Sequence, residues 1–388
     1  MRAVLAGVLF VLSVLFFRTD ANIEQRSLKA PEILSTGRPG PLEFLSMGHF
    51  NKSLSNADSC ATTNLVLGWK RFVDVPVQNG TRPWSLHQNS FLSQPAFRCA
   101  STEQLLTSLR NGTRVWNNAT EGSGPFPERF QSSFIPLTCS FKWFSPREVC
   151  AILNRFSRII MVGDSLTRHI VLGMNILLHG NFEYGGACLY QNKASDYFDN
   201  CRCDGMFSEA INCRCSAVTF DDNRKIGVCN GRQHFSLVFN DRKAYNYEDL
   251  FCTDGDTRPV FFYLSGGAHF HEDVNRTIQE FVEPNLKAIA AASFKCSTVK
   301  TLVSWGTMGA QARTLDKRFP KQARENTLLF NEATVEYILH RNSDIVIFDW
   351  WQLTCGGMTS DGLHLLTDVN VIKALYIVNY LDLISQAQ

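Results

Sequence analysis

"IIMVGDSLTRHIV", residues 159–171, decides how the rest of the chain is read. Arg158–Val162 is a short, nearly continuous apolar run closed by Gly163, the pattern of a strand buried on both faces. Leu166–Leu178 then carries apolar residues at helical spacing, at Ile170, Met174, Leu177 and Leu178. A strand, a tight turn and a helix lift a hydroxyl above a sheet edge and aim the helix's N-terminal N–H groups at it. Ser165 is then either a nucleophile or, with Asp164, one of two candidates to cap the helix. The turn by itself leaves both readings open.

Residues downstream of the turn repeat the same unit. Val260–Leu264 leads through "SGGAHFHED" (265–273) to a helix near Arg276–Ala292. "VKTLVSWG" (299–306) precedes a helix near Lys321–His340. "DIVIFDWWQL" (344–353) runs into "TCGGMTSDGLH" and a last helix, Val369–Ile384, while "HFSLVFN" (234–240) reads as a further strand. Strands alternating with helices predict an α/β domain: a central parallel sheet with right-handed crossovers and helices on both faces. Ligands of such sheets bind beyond the carboxyl ends of the strands. Ser165, the 265–271 loop and the 355–364 loop all follow strands and are expected to converge there.

The last of these loops bears on Ser165. Asp361-Gly-Leu-His364 sets a carboxylate and an imidazole three residues apart, on one side of a helical turn. An Asp so placed accepts the Nδ1–H, fixes the tautomer and leaves Nε2 facing a hydroxyl. Paired with a post-strand Gly-Asp-Ser, it marks Ser165, Asp361 and His364 as catalytic candidates for acyl transfer. The Gly-x-Ser-x-Gly elbow of α/β-hydrolases is absent, because Thr167 stands at the last Gly position. In the middle loop, Gly266 and Gly267 allow close backbone approach, and the Gly267 N–H joins that of Ser165 as an expected oxyanion donor. Arg168 and His269 are the candidate substrate-binding side chains, each with a purely structural alternative. Trp305, Trp350 and Trp351 sit near strand ends; sugar stacking is one role for them, aromatic core the expected one for at least two.

The chain's 388 residues are 45% hydrophobic and 19% charged, with a net charge of +2, which supports a substantial core and gives no support for nucleic-acid binding. Ala3–Phe17, between Arg2 and Arg18, spans about 22 Å as a helix, short of a bilayer core. With Thr19-Asp20-Ala21 it reads as a signal peptide over 1–21, and an uncleaved signal-anchor is the alternative. Val369–Ile384 is too interrupted by Asn370, Lys373, Asn379 and Asp382 to span a membrane. Sequons at Asn51, Asn79, Asn111, Asn118 and Asn275 and thirteen cysteines agree with secretory entry. Disulfides are expected. Zinc is the rival for the group Cys188, Cys201, Cys203, Cys213, Cys215 and Cys229, but the usual gap between ligand cysteines is missing, so no metal is assigned. Residues 22–130 read as an irregular glycosylated annex held by Cys60, Cys99 and Cys139. Residues 131–388 read as the catalytic domain, with a Cys-rich insert over about 185–230.

"GDSLTRH" with "DGLH" resembles the SGNH/GDSL hydrolase superfamily, and "FIPLTCSFKWFSPREVCAILNRFSRIIMVGDSLTRH" (134–169) is similar to its PC-esterase group. That group includes the trichome-birefringence-like polysaccharide O-acetyltransferases and the Cas1-type glycan O-acetyltransferases. The similarity covers about 132–180 and 258–386. It implies an SGNH-like three-layer α/β/α sandwich and a Ser165–Asp361–His364 triad. Departures are visible: "SGGAHFH" replaces the plant Asn-Thr-Gly-His-Trp-Trp, and Leu365-Leu366 follow the histidine in place of Trp-Cys. The third-block Asn has no clear counterpart, and the second-block Gly is Gly180, Gly185 or Gly186.

The expected function is a secreted or Golgi-lumenal O-acyl, chiefly O-acetyl, transferase acting on a glycan or polysaccharide. No cofactor is needed beyond an acyl donor such as an acetyl ester or acetyl-CoA. Expected partners are the glycan, no nucleic acid, and a membrane only if the N-terminal segment stays uncleaved. The alternatives are an O-acetylesterase, with water as acceptor, and a non-catalytic glycan-binding protein on the same fold.

Overall fold

The strand before the Gly-Asp-Ser turn lies at the interior of the sheet. The computed structural model describes residues 97–116, 132–179 except 137, 234–241, 255–310, 324–355 and 363–386 except 366, with single positions at 229, 232, 247 and 248. In chain order the elements are α1 (Thr102–Arg110), β1 (Thr113–Trp116), β2 (Ser132–Ile135), α2 (Pro146–Leu153), β3 (Arg158–Gly163), α3 (Ser165–His179), β4 (Ser236–Asp241) and β5 (Val260–Ser265). There follow a short 3₁₀ turn (Ala268–Phe270), α4 (Val274–Thr277), a π-helical turn (Ile278–Val282), α5 (Glu283–Lys295), β6 (Thr301–Gly306), α6 (Arg324–Arg341), β7 (Val346–Phe348), α7 (Trp351–Thr354) and α8 (Thr367–Gln386).

Five strands form one parallel sheet in the order β4-β3-β5-β6-β7. The chain starts this sheet at β3, steps to β4 on one side, then crosses to β5 on the other. The strand order therefore reverses between β3 and β5, which is the switch point where open parallel sheets leave a crevice at their carboxyl edge. Alternation along β3 sorts its side chains to two cores. Ile159 and Met161 join Phe261, Tyr263 and Phe348 under α1, α2, α3 and α8. Ile160 and Val162 join Phe262, Leu264 and Trp305 under the π turn, α5 and α6. The expected α/β class and parallel sheet are present, with helices over both faces.

One packing detail sets the site. Helices α3 and α8 run along each other, and a Cβ added at Gly173 would lie 2.5 Å from the Asn370 carbonyl oxygen, so the backbones meet there. This contact joins the helix that begins with Ser165 to the one that follows His364. α2 starts on a capping box, with the Glu148 N–H donating to Ser145 Oγ and the Ser145 N–H donating to Glu148, and Pro146 in the first turn.

The expected boundaries change in places. "DIVIFDWWQL" stops being a strand at Phe348, because Asp349 Oδ1 accepts from the Trp351 N–H at 3.1 Å and starts α7. Trp305, Trp350 and Trp351 are all buried, so none has a face for a sugar. The described part of the annex is not irregular throughout. It supplies α1 and β1, which pairs antiparallel with β2 of the following domain, and its Leu105 and Leu109 enter the first core. Cys99 pairs with Cys139, two of the three cysteines assigned to holding the annex, whose pairing the sequence left open. Cys229 pairs with Cys150, outside its expected Cys-rich group, and Cys296 and Cys355 are also disulfide-bonded. Cys60, Cys188, Cys201, Cys203, Cys213 and Cys215 lie outside the described residues. No described helix is long and apolar enough to cross a membrane. Contacts divide the chain into Met1–Ser55 and Asn56–Gln388, and every described residue falls in the second unit.

Candidate active site

Ser165 Oγ and His364 Nε2 are 2.8 Å apart, although 199 residues separate them in sequence. Ser165 opens α3 and is half-buried; His364 is only 5% exposed. The capping question is answered by Asp164. Its Oδ1 accepts from the Leu166 N–H at 3.0 Å, so the carboxylate caps the helix and the serine hydroxyl remains with the imidazole. Its Oδ2 accepts from the Ala268 N–H at 3.1 Å. One carboxylate thus staples the serine turn to the 265–271 loop. Burial to 1% exposure raises its proton affinity, and the charges of His269 and His364 with the two backbone N–H groups oppose that.

Registry brings the two loops side by side. Gly163 pairs with Ser265 on neighbouring parallel strands, so Ser165 and Gly267 each lie two residues beyond the same rung. The Thr167 hydroxyl donates to the Ser265 carbonyl at 3.1 Å, and a Cβ at Gly163 would lie about 2 Å from both groups. Thr167 therefore locks the turn to β5. Gly267 has φ +145° and ψ −33°, backbone that a side chain disfavours, and a Cβ there would lie 2.4 Å from the Phe330 ring. Its carbonyl accepts from both Phe270 and Glu272 N–H groups at 3.0 Å, while its own N–H meets no acceptor among the described residues. Ser165, as the first helical residue, carries another N–H outside the helical ladder.

The other predicted side chains fall around this pair. Arg168 is half-buried on the first turn of α3, and its N–H donates to the Asp164 carbonyl. His269 is exposed, and its charge reaches Asp164. Ala268, Met308, Phe330 and Leu363, with Leu166 and Val274, form a small apolar cluster beside the serine and histidine. Asp361, Gly180, Gly185 and Gly186 lie outside the described residues, as do the sequons at Asn51, Asn79 and Asn118; Asn111 and Asn275 are exposed.

Two neighbours were not anticipated. His169, buried, places its ring 5.1 Å from that of His364, centroid to centroid. It lies four residues after Ser165 and so on the same helix face, a signal present in the sequence. Lys373, on α8, is 3% exposed, with its ammonium 5.6 Å from the Trp350 ring centroid. Burial lowers its pKa to about 7, against the attraction of Asp164. No sequence pattern distinguished it from the other polar residues of that helix.

A serine hydroxyl against an imidazole nitrogen, two backbone N–H groups at a sheet edge and an apolar flank make up an arrangement able to transfer an acyl group. No protein-family model matches this sequence, and no curated protein matches it.

Proposed function

We propose that this chain is a secretory-pathway O-acyltransferase of SGNH type, moving O-acyl, chiefly O-acetyl, groups onto a glycan through an ester on Ser165. The observation that carries this reading is the 2.8 Å approach of Ser165 Oγ to His364 Nε2 at the sheet's switch point. His364 Nε2 takes the Ser165 proton as Oγ attacks the donor's carbonyl carbon. The oxyanion is met by the Ser165 and Gly267 N–H groups. Collapse expels the donor's leaving group, which takes the proton from His364. A sugar hydroxyl then gives its proton to His364, attacks the acyl carbon and frees Ser165 Oγ, which takes that proton back from His364. Asp361 orients the imidazole through Nδ1. Arg168 and His269 bind the glycan at the rim, and the apolar cluster limits competing water. The resemblance to the PC-esterase group supports the sugar acceptor, and the disulfides support an oxidising compartment.

The test is incubation of the purified protein with p-nitrophenyl acetate, with and without oligosaccharide acceptors, followed by mass spectrometry of the peptide containing Ser165. Acetyl on Ser165 that is discharged faster by the acceptor supports the proposal. Discharge to water at a rate no acceptor changes makes it an esterase. Equal acetyl turnover by wild type and Ser165→Ala removes the nucleophile.

A further inference from the structure

The loop that carries Gly267 and His269 closes on a residue the acyl-transfer scheme does not use. Glu272 is 8% exposed, and the Thr327 hydroxyl of α6 donates between its two carboxyl oxygens, 2.9 Å from each. Its N–H donates to the Gly267 carbonyl at 3.0 Å, so Gly267 and Glu272 are the two ends of one closed turn. His271 and Glu272 have φ of 54° and 58°. Two successive non-glycine residues in the left-handed region persist only where surrounding contacts impose them. Here the side chain held by Thr327 provides such a contact. One helical turn on, at Phe330, α6 also packs against Gly267.

We infer that Glu272 is a positioning residue: latched to Thr327, it holds the 267–272 turn so that the Gly267 N–H and His269 face the acyl group on Ser165. This rests on the acyl-transfer reading above. Burial of the latch favours the neutral carboxyl and raises its pKa to about 7, against the opposing effect of the Thr327 hydroxyl. The ionisable groups alongside are His269, His271, Asp273 and Arg276 on its own segment and Glu325 and Glu332 on α6; among the described residues only burial and the Thr327 hydroxyl act on its proton. Leaving Thr327 for water therefore becomes more favourable as pH rises from the ordinary carboxylate range to about 7, and gains nothing further above it.

The experiment follows kcat and KM of the full chain with p-nitrophenyl acetate between about pH 5.5 and 8.5. Glu272→Gln keeps a neutral acceptor for Thr327 at every pH. Its kcat relative to wild type should rise about tenfold between the acid end, where the ratio is near one, and about pH 7, and level off above that. Taking the ratio cancels pH effects common to both proteins. Glu272→Ala should lower kcat about tenfold at pH 6 with KM within about twofold, because a displaced oxyanion donor is missed only in the transition state. If that variant does not fold, Thr327→Val should show the same drop in kcat. A Gln-to-wild-type ratio constant across the range, or wild-type kcat in the variant that folds, overturns the latch. Ser165→Ala is run alongside: its inactivity with unaltered Glu272 variants sinks the latch alone, whereas an active Ser165→Ala overturns both readings.

Discussion

At the scale of single residues, the site depends on which group satisfies which N–H. Asp164 holds the Leu166 and Ala268 N–H groups, and Ser165 contributes only its hydroxyl toward His364. Ser165→Ala should therefore leave thermal stability within about 0.5 kcal/mol of wild type while abolishing the acetyl adduct, as calorimetry and mass spectrometry would show. Gly267→Ala makes the opposite prediction. A Cβ 2.4 Å from the Phe330 ring, on backbone at φ +145°, must displace the loop. The strain costs about 1–3 kcal/mol, and loss of one oxyanion donor should lower kcat by about 10²–10³ with little change in KM. A Gly267→Ala protein with wild-type kcat would take that N–H out of the site. The pair Ser165 and His364 was legible because spacing and order within short motifs carried it. Asp164's second bond, His169 and Glu272 were not, since each depends on which loop lies opposite once the sheet has assembled.

At the scale of elements, α8 shows what sequence periodicity conceals. Its central positions are buried nearly all round, so it carries no apolar stripe, and the polar residues that argued against a membrane helix are each accounted for. The Asn370 amide donates to the Leu365 carbonyl at 2.7 Å, next to His364. Asn379 bonds both backbone groups of Lys142, and Asp382 pairs with Arg155. Among the described residues Lys373 has an aromatic face and the distant attraction of Asp164. The strands and long helices were readable to within a few residues from their apolar runs. The end of β7 was not, because Asp349 and the indole bond from Trp350 to Tyr263, at 2.7 Å, turn the chain out of the sheet. Lys373 yields the prediction for this scale. Its folded pKa is depressed to about 7 from 10.5, so the unfolded chain binds more protons between those values. Wild-type stability should thus rise with pH over that window, by at most about 5 kcal/mol, and sit at its lowered level below pH 7. Lys373→Met should flatten this slope and melt higher than wild type at pH 7, as thermal unfolding at several pH values would register. An unchanged slope would mean that the ammonium is solvated.

At the scale of the whole molecule, the reversal of strand order between β3 and β5 puts the serine turn beside the Gly267 loop, and the α3–α8 contact brings His364 to both. The chain leaves α3 at the end remote from Ser165 and enters β4 at the amino end of the sheet. There Cys229 is joined to Cys150 of α2, across 79 residues, and the Arg258 guanidinium donates to the carbonyls of Asn154 and His234. These ties fix where β4 enters, and they do so away from the carboxyl edge that carries Ser165 and Gly267. Stability and chemistry should therefore separate on removing the bridge. In the chain-entropy account a loop of that length contributes about 4–5 kcal/mol by restricting the unfolded chain. A Cys150→Ala/Cys229→Ala double variant should lose about 2–5 kcal/mol in denaturant unfolding, with unfolding measured in the native oxidised state. At about 20 °C, well below its lowered midpoint, it should still form the Ser165 acetyl adduct at close to the wild-type rate, since Asp164, Thr167 and the β3–β5 registry are untouched. If the adduct rate falls together with stability at that temperature, the amino end of the sheet and the site are one cooperative unit, and the separation argued from the topology fails.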